Sequence, residues 1–236
     1  MQHIIAVSHG TGNAQGQAAI ALIREQMQAI LDEAQPATTT VHEAYVDVQE
    51  PSLAEVAAGF AADDAVTIVP LLLSTGYHTQ VDITSAAKAS GVRDIKIARA
   101  LGPSAALAKL QRQRLEEAGW DGYDDVVLAA AGSSRPEGRE AVMLQSEVFS
   151  TLLSRYVPYG FVADISLRIG EAIEENQAEY ISSYLLAPGF FQTKLEKLSG
   201  AGQQLTVCPP LVLPGDATAA RIVAEVALER VAEVAA

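Results

Sequence analysis

The stretch "IIAVSHGTGNAQG" at 4–16 returns as "VVLAAAGSSRPEG" at 126–138, which aligns Ile4 with Val126, Gly10 with Gly132 and Gly16 with Gly138. A second pair, "TIVPLLLSTGYHTQVD" (67–82) and "YISSYLLAPGFFQTKL" (180–195), aligns Gly76 with Gly189. A third, "IKIARAL", is echoed by "LTVCPPL" (205–211). The spacing exceeds a hundred residues, whereas solenoid and propeller repeats run at about 20–50, so this is a duplicated domain.

Within the first copy, short aliphatic runs at 4–8, 41–47, 66–73 and 95–99 each precede an Ala-rich amphipathic segment. Strand-helix alternation of this kind specifies a parallel sheet with right-handed crossovers. After the polar turn "AGWDGYDD" (118–125) the pattern restarts. The expected fold is α/β: two similar domains, 1–120 and 121–236, each a four-stranded parallel sheet flanked by helices. The two are expected to face each other across a cleft, related by a pseudo-two-fold axis. A chain of 236 residues, nearly half of them hydrophobic, has the material for two such cores.

The net charge of −13 disfavours nucleic-acid partners, which require clustered Lys and Arg. The single cysteine, Cys208, excludes an internal disulfide and a multi-cysteine metal site, and its place in a buried-looking strand reads as a small core residue. The N-terminus shows no basic region followed by a long apolar stretch, and the longest apolar run, near Val69, is too short to span a bilayer. A soluble, cytoplasmic protein with no membrane association is expected.

Two histidines stand out by position. His9 ends the first strand-like run and precedes a glycine-rich turn, and His78 follows the third run. In a doubly wound sheet these strands are commonly neighbours, so both imidazoles reach the crevice at the carboxyl edge, where α/β proteins bind ligands. Asp47, at the end of the second run, supplies a carboxylate to the same edge. Two imidazoles and a carboxylate suit a divalent first-row metal, but helix capping and core packing use the same residue types. In the second copy His9 falls opposite Ala131 and His78 opposite Phe191, which fits either core histidines that drifted to Ala and Phe or a chemical site kept in one half only. His3 and His42 lack supporting context and read as surface or strand-edge residues.

Other histidine chemistries fare worse. A histidine phosphatase requires arginine before its His-Gly, and here that residue is Ser8. "HGTG" is reminiscent of a hydrolase oxyanion loop, yet no G-x-S-x-G nucleophile elbow occurs. There is no P-loop, and "GTGNAQG" does not match G-x-G-x-x-G, so no nucleotide is expected.

Four stretches, "VSHGTGNAQG", "EAYVDVQEPSL", "VPLLLSTGYHTQVDI" and "ARALGPSAALAKLQRQRLEEA", span nearly the whole first half in order. They resemble the class II tetrapyrrole chelatases, specifically the sirohydrochlorin chelatases of the CbiX/SirB type. The second half resembles the same fold without the histidines. The resemblance implies ATP-independent insertion of Fe2+ or Co2+ into sirohydrochlorin, in sirohaem or cobalamin biosynthesis, with the divalent metal as substrate. The alternative is a non-catalytic carrier of the tetrapyrrole or metal.

Carried over by position, His9 and His78 are the metal-binding and proton-accepting pair, with Asp47, where the family commonly has glutamate, as a further metal ligand. The family's Ser-Arg after His-Gly is replaced by Thr11-Gly12, and a Ser-x-Arg-like element appears instead as Ser133-Ser134-Arg135 in the other half. Gly10, Thr11, Gly76 and Tyr77 are then expected to bind the macrocycle together with Ser133, Ser134 and Arg135. The helix N-termini after Gly10 and Gly132, with Arg135 and Arg99, offset its carboxylates, and Tyr77 and Phe190 offer it flat apolar surface. The duplication replaces a homodimer, so a monomer is expected.

Overall fold

Residues 4–7 pack apolar side chains on both faces of the first strand, none more than 1% exposed, as a central strand of a parallel sheet requires. The computed structural model describes residues 2–36, 38–74, 76–133, 135–163, 165–200 and 205–235, with the backbone alone at 77–80 and 200. The first half runs β1 (Gln2–Ser8), α1 (Ala14–Ala34), β2 (Thr39–Tyr45), α2 (Leu53–Ala58), β3 (Ala65–Pro70), α3 (Tyr77–Ala89), β4 (Asp94–Ile97) and α4 (Ala105–Glu117). The second repeats it as β5 (Val126–Ala130), α5 (Pro136–Leu153), β6 (Tyr159–Phe161), α6 (Ile169–Asn176), β7 (Tyr180–Tyr184), α7 (Phe190–Glu196), β8 (Thr206–Val207) and α8 (Ala217–Ala235). Two separate four-stranded sheets result, ordered β2-β1-β3-β4 and β6-β5-β7-β8, with every pairing parallel.

The duplication extends to single hydrogen bonds. Val46 and Asp47 donate their amides to Ser8 and His9 at 2.9 and 3.0 Å, and Val162 and Ala163 donate to Ala130 and Ala131, both at 2.9 Å. Ala98 donates to Ile68 as Cys208 does to Ile181. The third strand is shorter than the 66–73 its apolar run suggests. Leu71 makes one further ladder bond to Val7, after which the carbonyls of Leu72 and Leu73 turn to accept from Leu101 and Gly102. The surplus apolar residues line a wall rather than extend the sheet.

Three apolar clusters fill the layers. One lies between the first sheet, α2 and α3, and another between the second sheet, α6 and α7. The largest joins Ile4 and Ala6 of β1 to Val126 and Leu128 of β5 through α1, α4, α5 and α8. Here the closing helices cross over. α8, the last element of the second half, packs on α1, β3 and β4, while α4, the last of the first half, packs on α5 and β7.

An arginine pins each crossed helix. Arg114 of α4, 4% exposed, donates Nε and Nη2 to the Leu211 carbonyl beyond β8, and pairs with Asp216 and Glu117. Its counterpart Arg230 of α8, 5% exposed, donates Nε and Nη2 to the Leu101 carbonyl beyond β4 and pairs with Glu233 at 2.7 Å. A buried amide relay adds to the α4 contact: Gln145 donates to Gln111, and Gln111 donates to Ser182 of β7.

Burial pushes the Asp216 carboxyl up, but the Ala219 amide and the Arg114 guanidinium outweigh it and hold the group below its ordinary range. Glu117 follows the same pattern, with burial opposed by Arg114. Cys208 is a core residue, as expected, with its thiol pushed up to about 12 by burial. His3 and His42 hydrogen-bond each other at 3.1 Å, and both rings contact Phe60, that of His42 edge-on. No described helix is long and apolar enough to cross a membrane.

Arg114→Leu strips the Leu211 carbonyl and two carboxylates of their partner, and we expect it to cost about 3 kcal/mol in urea unfolding. Its pH signature is specific. Asp216 and Glu117 stabilise fully above the unfolded carboxylate pKa of about 4, and that contribution vanishes as pH falls through their lower folded values. Melting temperatures of the parent chain should therefore drop on acidification more steeply than those of Arg114→Leu. Parallel acid profiles would refute this role for the cluster.

Candidate active site

The chain leaves β1, builds β2 on one side and returns to place β3 on the other, so the crevice between β1 and β3 is the switch point of the first sheet. His9 follows β1 directly and is exposed, while His78 is the second residue of the helix that follows β3. Asp47 lies just past β2, with its amide bonded to the His9 carbonyl at 3.0 Å. The fold thus brings the backbone positions of all three to the carboxyl ends of three adjacent strands. The side chains of His78 and Tyr77, and the whole of Ser134, lie outside the described residues.

A cavity of about 440 Å³ opens at this edge. The first half lines it with Ser8, His9, Gly10, Thr11, Gly12, Gly16, Ile20, Val48, Gln49, Leu71 and Leu72. The second half closes it with the segment 185–192, which runs from the end of β7 into α7. Both carboxyl edges therefore meet over one space. They meet closely: a Cβ on Gly16 would stand 2.3 Å from the Pro188 carbonyl oxygen. Gly10 is equally confined, because its φ of +93° favours glycine and a Cβ there would strike the Asp47 carbonyl oxygen at 2.0 Å.

Thr11 is fixed on the rim, its amide donating to Gln49 Oε1 at 2.9 Å and its Oγ1 accepting from Asn13. The N-terminus of α1, expected to hold an anion, is already capped. The Asn13 side chain accepts from the amides of Gln15 and Gly16 at 2.9 and 3.1 Å. Arg99 is likewise engaged, in a two-pronged pair with Glu233 of α8. In the second half, Ser133 is buried and its Oγ accepts from the Arg135 amide, which begins α5 without a side-chain cap. Neither Ser133 nor Arg135 is among the residues lining the cavity, and Gly76 is also outside that lining.

The Asp47 carboxylate turns back to accept from its own neighbour, the Val48 amide, at 2.8 Å. Among the described residues no group of three or more His, Cys, Asp or Glu is placed to hold a metal ion. The histidine-bearing edge nevertheless has no chemical twin. The counterparts of His9 and Asp47, by hydrogen-bonding position, are Ala131 and Ala163.

Two exposed apolar side chains flank the cavity from opposite halves. Phe190, 75% exposed, stands edge-to-face on Phe191, and Val48 is 63% exposed. Val48 sits in a left-handed conformation, φ +66°, inside a three-residue turn closed by the Gln49 amide on the Asp47 carbonyl at 2.7 Å. That conformation is costly for a β-branched residue. Val48, Gln49 and most of the 185–192 wall escape a reading of the sequence, although the echo of "VPLLLSTG" in "SYLLAPG" marks that wall as the partner of the histidine edge.

Two parallel α/β lobes with joined carboxyl edges are also the fold of solved chelatase structures that this chain resembles. The chain matches a structure of SirB from Bacillus subtilis with Fe3+, at 23% identity and TM-score 0.73, over 100% of this chain and 96% of that one. It matches SirB from Bacillus subtilis subspecies spizizenii in complex with cobalt at 21% identity and TM-score 0.70, over 98% and 94%. CbiX, the terminal enzyme for biosynthesis of siroheme in denitrifying bacteria, matches at 20% identity and TM-score 0.65, over 96% and 97%. No curated protein matches the chain. The CbiX family model matches residues 3–118. The first half is therefore similar to the CbiX family, and the second repeats the fold of the first.

Val48→Asn relieves the left-handed strain and removes an apolar contact in one change. We expect stability to rise by about 1 kcal/mol while affinity for a flat apolar ligand falls, as read by thermal melts and ligand fluorescence. A variant less stable than the parent would show that the turn is not strained.

Proposed function

We propose that the chain inserts a divalent metal ion, Fe2+ or Co2+, into sirohydrochlorin without nucleotide hydrolysis. One observation carries the reading. The histidine-bearing edge sits at the switch point of the lobe that matches the CbiX model, and it opens on a cavity whose opposite wall is apolar. The SirB structures with Fe3+ and with cobalt support both metals as substrates. The units of duplication are 1–120, with the histidines, and 121–236, and the chain works as a monomer because each half already receives its closing helix from the other.

The chemistry follows from the residue types. Metal insertion removes two pyrrole protons and delivers the metal to one face of the ring, so a ligand and a base must stand together over that face. Imidazole does both near neutral pH. His9 and His78 hold the metal and accept the protons, with Asp47 as the adjoining carboxylate. Few protein ligands leave coordination positions open, so the metal is passed on rather than trapped. Val48 and Phe190 contact the apolar ring, Gly10 lets the backbone come close to it, Thr11 at the rim receives a carboxylate, and Gly76, Ser133, Ser134 and Arg135 are left to the parts of the substrate that reach beyond the cavity.

The test is sirohydrochlorin mixed with Fe2+ or Co2+ and followed by absorbance. The protein should accelerate insertion well above the uncatalysed rate, and tight binding without turnover would identify a carrier instead. His9→Ala and His78→Ala should each lose about two to four orders of magnitude with the fold intact. The losses should not add in the double variant, since each imidazole depends on the other. Near-normal rates from both single variants would overturn the site.

A further inference from the structure

We infer that Ser8 is a substrate-binding residue, its hydroxyl donating to an acceptor atom of the tetrapyrrole inside the cavity. Ser8 is the last residue of β1, is 4% exposed, and is one of the residues lining the cavity. Its Oγ has no hydrogen-bond partner among the described residues. A buried hydroxyl without a partner costs on the order of 1–3 kcal/mol, so its presence at this position requires a compensating role.

The duplication supplies an internal control. The position equivalent to Ser8 in the second half is Ala130, which ends β5 as Ser8 ends β1 and is 3% exposed. The paired backbone bonds from Val46 to Ser8 and from Val162 to Ala130 are both 2.9 Å, so the two strand ends are built alike. Packing at this position is therefore satisfied by a methyl group. The hydroxyl occurs only in the half that carries His9, and it stands next to that residue in the chain. Ile20, Leu71 and Leu72 make much of the surrounding wall apolar. In such a setting a single donor fixes the register of an apolar ligand, and a ligand atom that cannot accept is penalised.

This inference rests on the proposed chelatase function, and its test separates the two. The measurement is the affinity of metal-free sirohydrochlorin by fluorescence, with steady-state insertion and thermal melts, for the parent and for Ser8→Ala. The variant should bind about five- to tenfold more weakly, the loss of one hydrogen bond. Its KM should rise with kcat nearly unchanged, because the contact is made equally in ground and transition states. Without ligand it should melt at or above the parent temperature, since an unpaired hydroxyl has been removed. Unchanged affinity in Ser8→Ala, with an active parent, would overturn the role of Ser8 alone. So would a fall in kcat at unchanged affinity, which would mean that Ser8 acts through His9. A parent chain that neither binds nor metallates sirohydrochlorin would overturn the functional reading and this inference with it.

Discussion

Everything in this molecule depends on the crossing of its two closing helices. Neither sheet buries its inner face with its own helices alone. The first is covered by α1 and by α8 from the far end of the chain, and the second by α5 and by α4. A buried arginine marks each crossing by holding the carbonyl just beyond the last strand of the other half. These carbonyls would otherwise be buried acceptors, so the guanidinium both satisfies them and sets the position of the helix. Because the halves share one apolar cluster, the spacing between their carboxyl edges is set by core packing and not by a flexible hinge. The 440 Å³ cavity is a consequence of that spacing.

Duplication has preserved the backbone and released the side chains. The same hydrogen bonds recur at the ends of β1 and β5, yet Ser8, His9 and Asp47 face a chain that carries Ala130, Ala131 and Ala163 in their places. A backbone bond constrains geometry but says little about what stands on Cα, so one copy can keep polar groups while the other becomes a wall. Under the proposed function that wall, with Phe190 at its rim, matters as much as the histidines, because a macrocycle is bound by apolar area and is acted on by polar atoms.

Much of this was legible in the chain itself. The repeated glycines and the alternation of aliphatic runs with Ala-rich segments pointed to the paired parallel sheets, and the histidines after the first and third runs pointed to one carboxyl edge. Less legible were facts that depend on side chains meeting across the chain. The turn after His9 reads as an open anion-binding helix start, but Asn13 has already taken its amides. Arg99 reads as a carboxylate ligand, but it is two-pronged on Glu233, more than a hundred residues away. The run 66–73 reads as one strand, but the carbonyls of Leu72 and Leu73 are drawn toward Leu101 and Gly102. In each case a local pattern was overruled by a partner distant in sequence.

The sequence alone determined the repeat, the class of fold and the sheet edge at which the candidate site stands, because periodicity and glycine placement act over a few residues and need no tertiary context. Only the tertiary structure decided which half supplies which wall, that the closing helices are exchanged, and that Ser8, on the cavity lining, keeps a buried hydroxyl with no partner among the described residues. Those outcomes depend on how two apolar faces pack, and packing is decided by volumes and angles between elements that no stretch of sequence specifies alone.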